Sequence, residues 1–396
     1  MKLINKLLLI ILLFTIPTSV FAVNNNQSRL ADIEDDEIYW QKSTWKEFAW
    51  KTIEETEGEY DWEMTDDLVK DRQKDGKIIV PRIMPFVNWD QDICHLDKDE
   101  HYLKEVGSVR MGKPCNMKKY KKWLRKVVER YDNDGINDMP GLKKPIRYWI
   151  IGNEPDVECE EEQCFFDITA KGYAKLLKAS SKTIKKQSSK NKVIIAAPST
   201  MGIESRKYYK KIFNQGTKKY FDIMNYHAID PDAKVDILGV RKFNQFIKNN
   251  KLKKKKVFAG EWEVGNVPYP GTNKDFKKRI IRSTAYALSH GIDTICFIGG
   301  DDYPESSKQI LINYFNFADT QKIYKETIKG TQLTVGKYKF RNLKDESDFY
   351  VLWGRNKTLP KSIQGDVKVT NKNNKSEIMD SADIVLTADP IIVELL

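Results

Sequence analysis

The sequence predicts an α/β chain: a (β/α)8 barrel followed by a small C-terminal β-sandwich-like domain. Short apolar runs alternate with amphipathic helical stretches from about residue 44 to residue 298, as a parallel α/β fold requires. With the Trp50 region taken as the second strand, the strand count reaches eight at residues 294–298, which fits a closed barrel. From about residue 331 the pattern changes to short alternating runs split by polar turns, as in a small β-domain.

The elements follow in order. Residues 1–22 read as a signal peptide: a basic start from Met1 to Lys6, an apolar run from Leu7 to Val20, and a small-residue cleavage site at Val20-Phe21-Ala22. The apolar run is short for a bilayer span of about 20 residues. The chain is therefore expected to be secreted or periplasmic, with no membrane contact after cleavage. Residues 23–41 are polar and acidic and read poorly as strand or helix, so the first βα unit is expected to be shortened, remodelled or missing. Thr44 to Trp50 alternates like a strand, and a helix follows from about Trp62 to Lys74, stopped by Gly76. Ile78–Pro85 reads as the third strand and Met117–Arg130 as the helix after it. Ile146–Asn153 is the fourth strand, Ala170–Gln187 a long helix, Val193–Ala197 the fifth strand, Phe221–His227 the sixth and Val257–Gly260 the seventh. A helix over 274–290 carries Phe276, Ile280, Ile281, Ala287 and Leu288 on one face and stops at Gly291, and Thr294–Ile298 is the eighth strand. The barrel is expected over 23–330 and the β-domain over 331–396, with strands at 349–353, 367–369, 384–386 and 391–394. No Gly/Ser/Pro-rich linker separates the two, so they are expected to pack together.

Charge and cysteine usage narrow the function. The net charge of +11 is mostly lysine spread through helices and loops, with no nucleic-acid-binding motif, so no nucleic-acid partner is expected. Solvated faces account for it most simply, and an anionic polysaccharide is one partner class it would suit. Five cysteines in an exported chain suggest two disulfides, Cys94–Cys115 and Cys159–Cys164, each flanking one loop, with Cys296 reduced inside a strand. Only four histidines exist, none at ligand spacing to these cysteines, so no zinc site is expected. Asp132-Asn133-Asp134-Gly135-Ile136-Asn137-Asp138 alternates oxygen ligands around a glycine as calcium loops do, but it lacks the terminal Glu of a full loop and reads first as a turn.

Two strings carry the chemistry. Tyr148-Trp149-Ile150-Ile151-Gly152-Asn153-Glu154-Pro155 and Val257-Phe258-Ala259-Gly260-Glu261-Trp262-Glu263 are apolar runs that each deliver a carboxylate to a strand end. Paired carboxylates at strand ends are what glycoside hydrolysis needs, one to protonate the leaving oxygen and one to attack or to activate water. Asn-Glu-Pro after one strand and Gly-Glu-Trp after a later one resemble clan A of the glycoside hydrolases, whose members are (β/α)8 barrels. Within that clan the chain most resembles families 39 and 5. Ile53-Glu54-Glu55 through Gly58, Tyr60, Asp61 and Trp62 is similar to that clan's turn after the second strand, with Glu55 in place of the usual Pro. The ending Asp389 to Glu394 resembles the last strand of clan A C-terminal domains.

The resemblance implies a retaining glycoside hydrolase that cleaves β-linked oligo- or polysaccharide and needs no cofactor. It makes Glu154 the acid/base and Glu261 the nucleophile, with Glu263 the rival two residues on. Asn153 would hydrogen-bond the sugar hydroxyl beside the reacting carbon, and His227 would orient the nucleophile and touch substrate. Trp89, Trp262 and Tyr303 are candidate platforms for the apolar faces of sugar rings, each with an ordinary core aromatic as the alternative. Arg82 points toward the barrel interior or its wall, where it would support a carboxylate. The competing reading is a non-catalytic carbohydrate-binding protein on the same fold.

Overall fold

The computed structural model describes residues 27–103, 106–157, 159, 165–230, 237–265 and 274–396. The expected signal peptide, residues 1–22, and Cys164 lie outside the described residues. The chain begins with β1 (Leu30–Ala31), β2 (Trp40–Lys42), α1 (Trp50–Ile53), α2 (Glu63–Lys74), β3 (Ile78–Val80) and β4 (Arg82–Ile83). Then come α3 (Asn88–Gln91), a small hairpin of β5 (His101–Leu103) and β6 (Gly107–Val109), α4 (Met117–Arg130), β7 (Tyr148–Ile151), α5 (Ala170–Gln187) and β8 (Lys192–Ile195). The barrel ends with α6 (Ile203–Asn214), β9 (Ile223–Asp230), α7 (Val240–Asn249), β10 (Lys256–Val264), α8 (Phe276–Ser289), β11 (Thr294–Phe297) and α9 (Glu305–Ile310).

The main sheet is wholly parallel and runs β3-β2-β1-β11-β10-β9-β8-β7-β4. Its two ends, β3 and β4, are halves of one strand broken at Pro81, which has no N–H to donate to a ladder. The sheet therefore closes on itself as an eight-stranded barrel. Each strand sends one side chain into a common interior layer: Ala31, Trp40, Val80, Ile150, Ile194, Ile223, Phe258 and Cys296. The outward residues pack under the helices. On α4 these are Tyr120, Trp123, Leu124, Val127 and Val128, spaced as one helical face demands, and the Asn116 side chain caps the helix by accepting from the N–H groups of Lys118 and Lys119.

The start of the barrel departs from expectation. The second strand is Trp40–Lys42, which pairs with Ile78–Val80, and not residues 44–50, where a loop leads into the short α1. A first strand is present, but residues 32–39 carry the chain to β2 without a helix. A parallel crossover normally takes a dozen or more residues and a helix. Asp32 holds this short crossing together from a left-handed backbone at φ 56°. Its N–H donates to the Trp40 carbonyl (3.3 Å), and its carboxylate accepts from Lys42 N–H (2.9 Å) and from the Cys296 thiol (2.7 Å). Burial pushes the Asp32 carboxyl above its ordinary value, against the pull of Lys42 and of the Cys296 hydrogen bond.

The C-terminal domain is one antiparallel sheet of β12 (Ala318–Lys329), β13 (Gln332–Asn342), β14 (Asp348–Trp353), β15 (Asp366–Asn371), β16 (Ser376–Asp380) and β17 (Ile391–Leu395), in the order β12-β13-β14-β17-β15-β16. The sheet starts at Ala318, so residue 331 lies in its first hairpin and not at its edge, and Ile384–Leu386 is not a strand. One face joins the barrel core through Leu333, Tyr338, Phe340 and Trp353. The other builds a small core from Tyr350, Leu352, Val367, Val369 and Val393. Arg282 of α8 ties the units together: it lies over the Trp353 ring (5.3 Å) and donates to the Ala388 carbonyl. Cys94 and Cys115 form the expected disulfide, and Cys296 is a buried free thiol. Cys159 is disulfide-bonded, and its expected partner Cys164 lies outside the described residues.

Candidate active site

Glu154 reaches the barrel mouth through a turn that only some residues tolerate. Ile150 faces the interior, and Trp149 and Ile151 face the outer core. Gly152 then takes φ 78°, where a Cβ would also sit 3.0 Å from the Phe166 ring. Two residues later Glu154 itself has φ 33°, a left-handed conformation that costs a side-chain-bearing residue on the order of 1–3 kcal/mol. The turn aims the Glu154 carboxylate inward, with Oε1 2.6 Å from Nδ1 of His227. Asn153 beside it is buried, and its Nδ2 has no hydrogen-bond partner among the described residues.

His227 comes from regular alternation along β9. Ile223 faces in, Met224 out, Asn225 in, Tyr226 out and His227 in, so Tyr226 stacks on Phe243 behind the strand (4.5 Å). On β10 the alternation is broken, and the break matters. Phe258 faces in and Ala259 out, and strict alternation would send Glu261 outward. The register shifts between Ala259 and Glu261 against β9, a β-bulge that inserts one residue and restores Glu261 to the interior. Gly260 forms the bulge. Its N–H donates to Asn225 Oδ1 (3.0 Å), and a Cβ there would lie 2.5 Å from that same oxygen. Gly260→Ala is expected to cost about 1–3 kcal/mol in unfolding free energy. By displacing Glu261 it should also lower kcat about a hundredfold. Thermal unfolding and steady-state rates check this, and a fully active variant would show that the bulge does not set the carboxylate.

The site is a tight cluster of charge. One carboxylate oxygen from each of Glu154 and Glu261 and a ring nitrogen of His227 lie within 4.8 Å of one another. Arg82, buried on β4, donates to Glu261 Oε1 at 2.6 Å, and Lys42 Nζ, from β2, lies 3.4 Å from the same oxygen and donates to the Gly260 carbonyl at 2.6 Å. His227 Nδ1 is 3.4 Å from Glu261 Oε2. Burial opposes ionisation of Glu261, but His227, Lys42 and Arg82 outweigh it and hold the carboxyl well below the usual carboxylate range. Two side-chain cations already fill the position a metal ion would take at Glu261, and they would repel a further cation, so the trio is poorly suited to metal binding.

The structure gathers Asn153, Glu154, His227, Glu261 and Arg82, and it puts the aromatic candidates elsewhere. Trp262 is fully buried behind β10, because the bulge that turns Glu261 in turns its neighbour out. Tyr303 is 3% exposed, packed edge-on between Phe276 and Phe297. Neither ring offers a face to a sugar, and both are core aromatics. Trp89 is half-buried against Trp50 (5.2 Å), with Lys119 over its ring and its indole N–H on the Glu54 carbonyl (3.0 Å). Glu263 shares the inward face of β10 with Glu261, two residues nearer the strand end.

Two residues went unread. Lys42 lies on a strand of three residues, too short for periodicity to register. Trp45, half-buried with Arg82 5.3 Å from its ring, lines the same cleft as Glu261. Its place after a barrel strand was the available signal. That cleft, about 640 Å³, runs from Glu261, Lys42 and Trp45 along the flank left open by the missing helix, past Glu34, Asp35 and Asp301.

No protein-family model matches the sequence, and no curated protein matches it. Solved structures do. A glucosidase from Croceicoccus marinus aligns at 11% identity over 93% of this chain and 90% of its own, with a TM-score of 0.58. An α-L-arabinofuranosidase from Thermotoga maritima aligns at 12% identity over 91% and 88%, with a TM-score of 0.58. A GH39 β-xylosidase from Caulobacter crescentus aligns at 11% identity over 90% and 89%, with a TM-score of 0.52. At these identities the likeness establishes the fold: this chain shares the barrel and C-terminal β-domain of those enzymes.

Proposed function

We propose that this chain is a retaining glycoside hydrolase of clan A, exported from the cell, that cleaves β-glycosidic bonds. The observation that carries the reading is that Glu154 and Glu261, from two different strands, each bring one carboxylate oxygen to within 4.8 Å of the other. Retaining enzymes hold their carboxyl groups about 5–5.5 Å apart, whereas inverting ones leave about 6.5–9.5 Å for a water molecule. The charges assign the roles. Glu261, kept ionised by Arg82, Lys42 and His227, attacks the anomeric carbon. Glu154 protonates the departing oxygen, and its conjugate base then takes a proton from the water that attacks the glycosyl-enzyme. Asn153 Nδ2, a buried donor without a partner among the described residues, suits the sugar hydroxyl beside the reacting carbon. Trp45, half-buried and lining the cleft with Glu261, offers an aromatic surface for a sugar ring.

The cleft also bears on the substrate. At the barrel mouth Asp32, Glu34 and Asp301 line it beside Lys42, while Asp35, Asp36, Arg72, Asp75 and Lys77 lie toward the other end of the strands. That balance disfavours a polyanion, despite the positive net charge of the whole chain, so the substrate proposed is an uncharged β-glycan. The disulfide Cys94–Cys115 fits an oxidising compartment outside the cytosol.

The test is a panel of aryl β-glycosides and neutral β-glycans, with the anomer of the first product read by NMR. Retention is expected. Glu154→Gln should lose at least about a thousandfold on substrates with poor leaving groups and much less on activated aryl glycosides, which need no acid. Saccharide binding with no turnover on any substrate would instead establish a carbohydrate-binding protein on this fold, the reading that the missing first helix favours.

A further inference from the structure

The loop that leads from α4 to β7 carries an arrangement of charge that the glycosidase reading does not use. Asp132, Asp134 and Asp138 each place one carboxylate oxygen within 4.8 Å of the others. Asp134 is exposed, but Asp132 is only 3% exposed, and its Oδ1 has no hydrogen-bond partner among the described residues. A buried carboxylate oxygen without a donor is costly, and two further carboxylates beside it raise the cost. No side-chain cation relieves it: among the described residues none of the three acids forms an ion pair. Arg147 Nη2 approaches the Asp132 backbone carbonyl (3.4 Å), and Arg130 is engaged by Asp66. The loop backbone is shaped around the cluster, with Asn133, Gly135 and Asn137 all left-handed at φ 57°, 94° and 51°. Both Asp138 oxygens are fixed by loop N–H groups, those of Asn133 (2.9 Å) and Gly135 (2.7 Å).

We propose that Asp132, Asp134 and Asp138 form a calcium site. All three donors are hard oxygens, and calcium takes six to eight such ligands in flexible geometry, so backbone carbonyls and water would complete the shell. Magnesium, which demands a near-ideal octahedron, suits a loop of this kind less well. The loop precedes β7, at the opposite end of the barrel from Glu154, so the ion has no part in glycoside chemistry. It ties the end of α4 to the loop that follows it.

The test uses the chain from residue 23 onward, stripped with a chelator and titrated with CaCl2 by calorimetry. Thermal unfolding is then compared with and without 1 mM CaCl2. Binding with a dissociation constant in the range of about 10⁻⁶–10⁻⁴ M is expected, with a rise in Tm of about 3 °C or more. Asp134→Asn, at an exposed position that the fold tolerates, should weaken binding at least tenfold and remove the rise. Asp132→Asn should raise Tm in the absence of calcium, by removing an unpaired charge, and should lose the response to the ion. If Asp132→Asn does not fold, Asp134→Asn decides alone. Absence of binding at 1 mM overturns the proposal. So does a calcium response that survives in Asp134→Asn, because the ion would then sit elsewhere.

Discussion

Glu261→Gln is expected to lower kcat by about 10⁴-fold or more, because glutamine can neither attack the anomeric carbon nor hold its charge. Glu263→Gln should stay within about tenfold of the parent, since Arg82 and Lys42 serve position 261. Azide should rescue Glu261→Gly on an activated glycoside and give the inverted glycosyl azide; rescue at position 263 would reverse the assignment. The substitution also reads out in stability. Gln keeps a hydrogen bond to Arg82 but leaves two cations facing an uncharged group, a loss of roughly 3 kcal/mol at neutral pH. The folded pKa of Glu261 is depressed, so its contribution is complete above the unfolded value of about 4.3 and is lost as pH falls through the folded value. The gap in Tm between parent and Glu261→Gln should therefore be full at pH 6–7 and narrow as the pH drops from about 4 toward 2. A gap independent of pH would show that Glu261 is not held ionised by its neighbours.

Arg82→Met carries the second largest expected effect. Arg82 is almost wholly buried and spends one guanidinium nitrogen on Glu261 at 2.6 Å, while Nε and Nη1 have no partner among the described residues. Its removal leaves burial less opposed, so the Glu261 pKa must rise. The acid limb of the kcat/KM profile should move to higher pH, with a loss of about 10²–10³-fold at neutral pH. Arg82→Lys should recover part of the profile and less of the rate, because an ammonium restores charge without the planar fork. A profile unchanged in shape, with only Tm reduced, would make Arg82 a structural ion rather than the group that sets the nucleophile. Substitution at Lys42, farther from the carboxylate at 3.4 Å, should shift the same limb less.

Much of this was legible in the chain itself. The helices over Met117–Arg130 and Ala170–Gln187 appear at the bounds that apolar spacing gave, since one buried face over three or more turns is a strong signal. The strings ending in Glu154 and Glu261 were legible because each is an apolar run closed by a carboxylate. What escaped notice has a local cause in each case. β1 and β2 are two and three residues long, and no periodicity exists over such lengths. Trp262 was misplaced by the bulge at Gly260. Alternation is a rule about uninterrupted strands, and a single extra residue swaps every face beyond it.

The short crossing from β1 to β2 bears on how the molecule comes to be made. The ring is fastened by Leu30 and Ala31 against Ile295 and Cys296, and by the single pairing of Ala31 with Trp40. The strand synthesised first is thus mated to the barrel strand synthesised last, and a long loop must be closed before the join is rewarded. Until residue 296 has emerged, Asp32 lacks the thiol that helps to fix it, although the backbone of Lys42 is already held by its pairing with β3. The Lys42 ammonium group finds its partners, the Gly260 carbonyl and Glu261, only once β10 has been made. A nascent chain can bury most of its helices well before Glu154 and Glu261 are brought together.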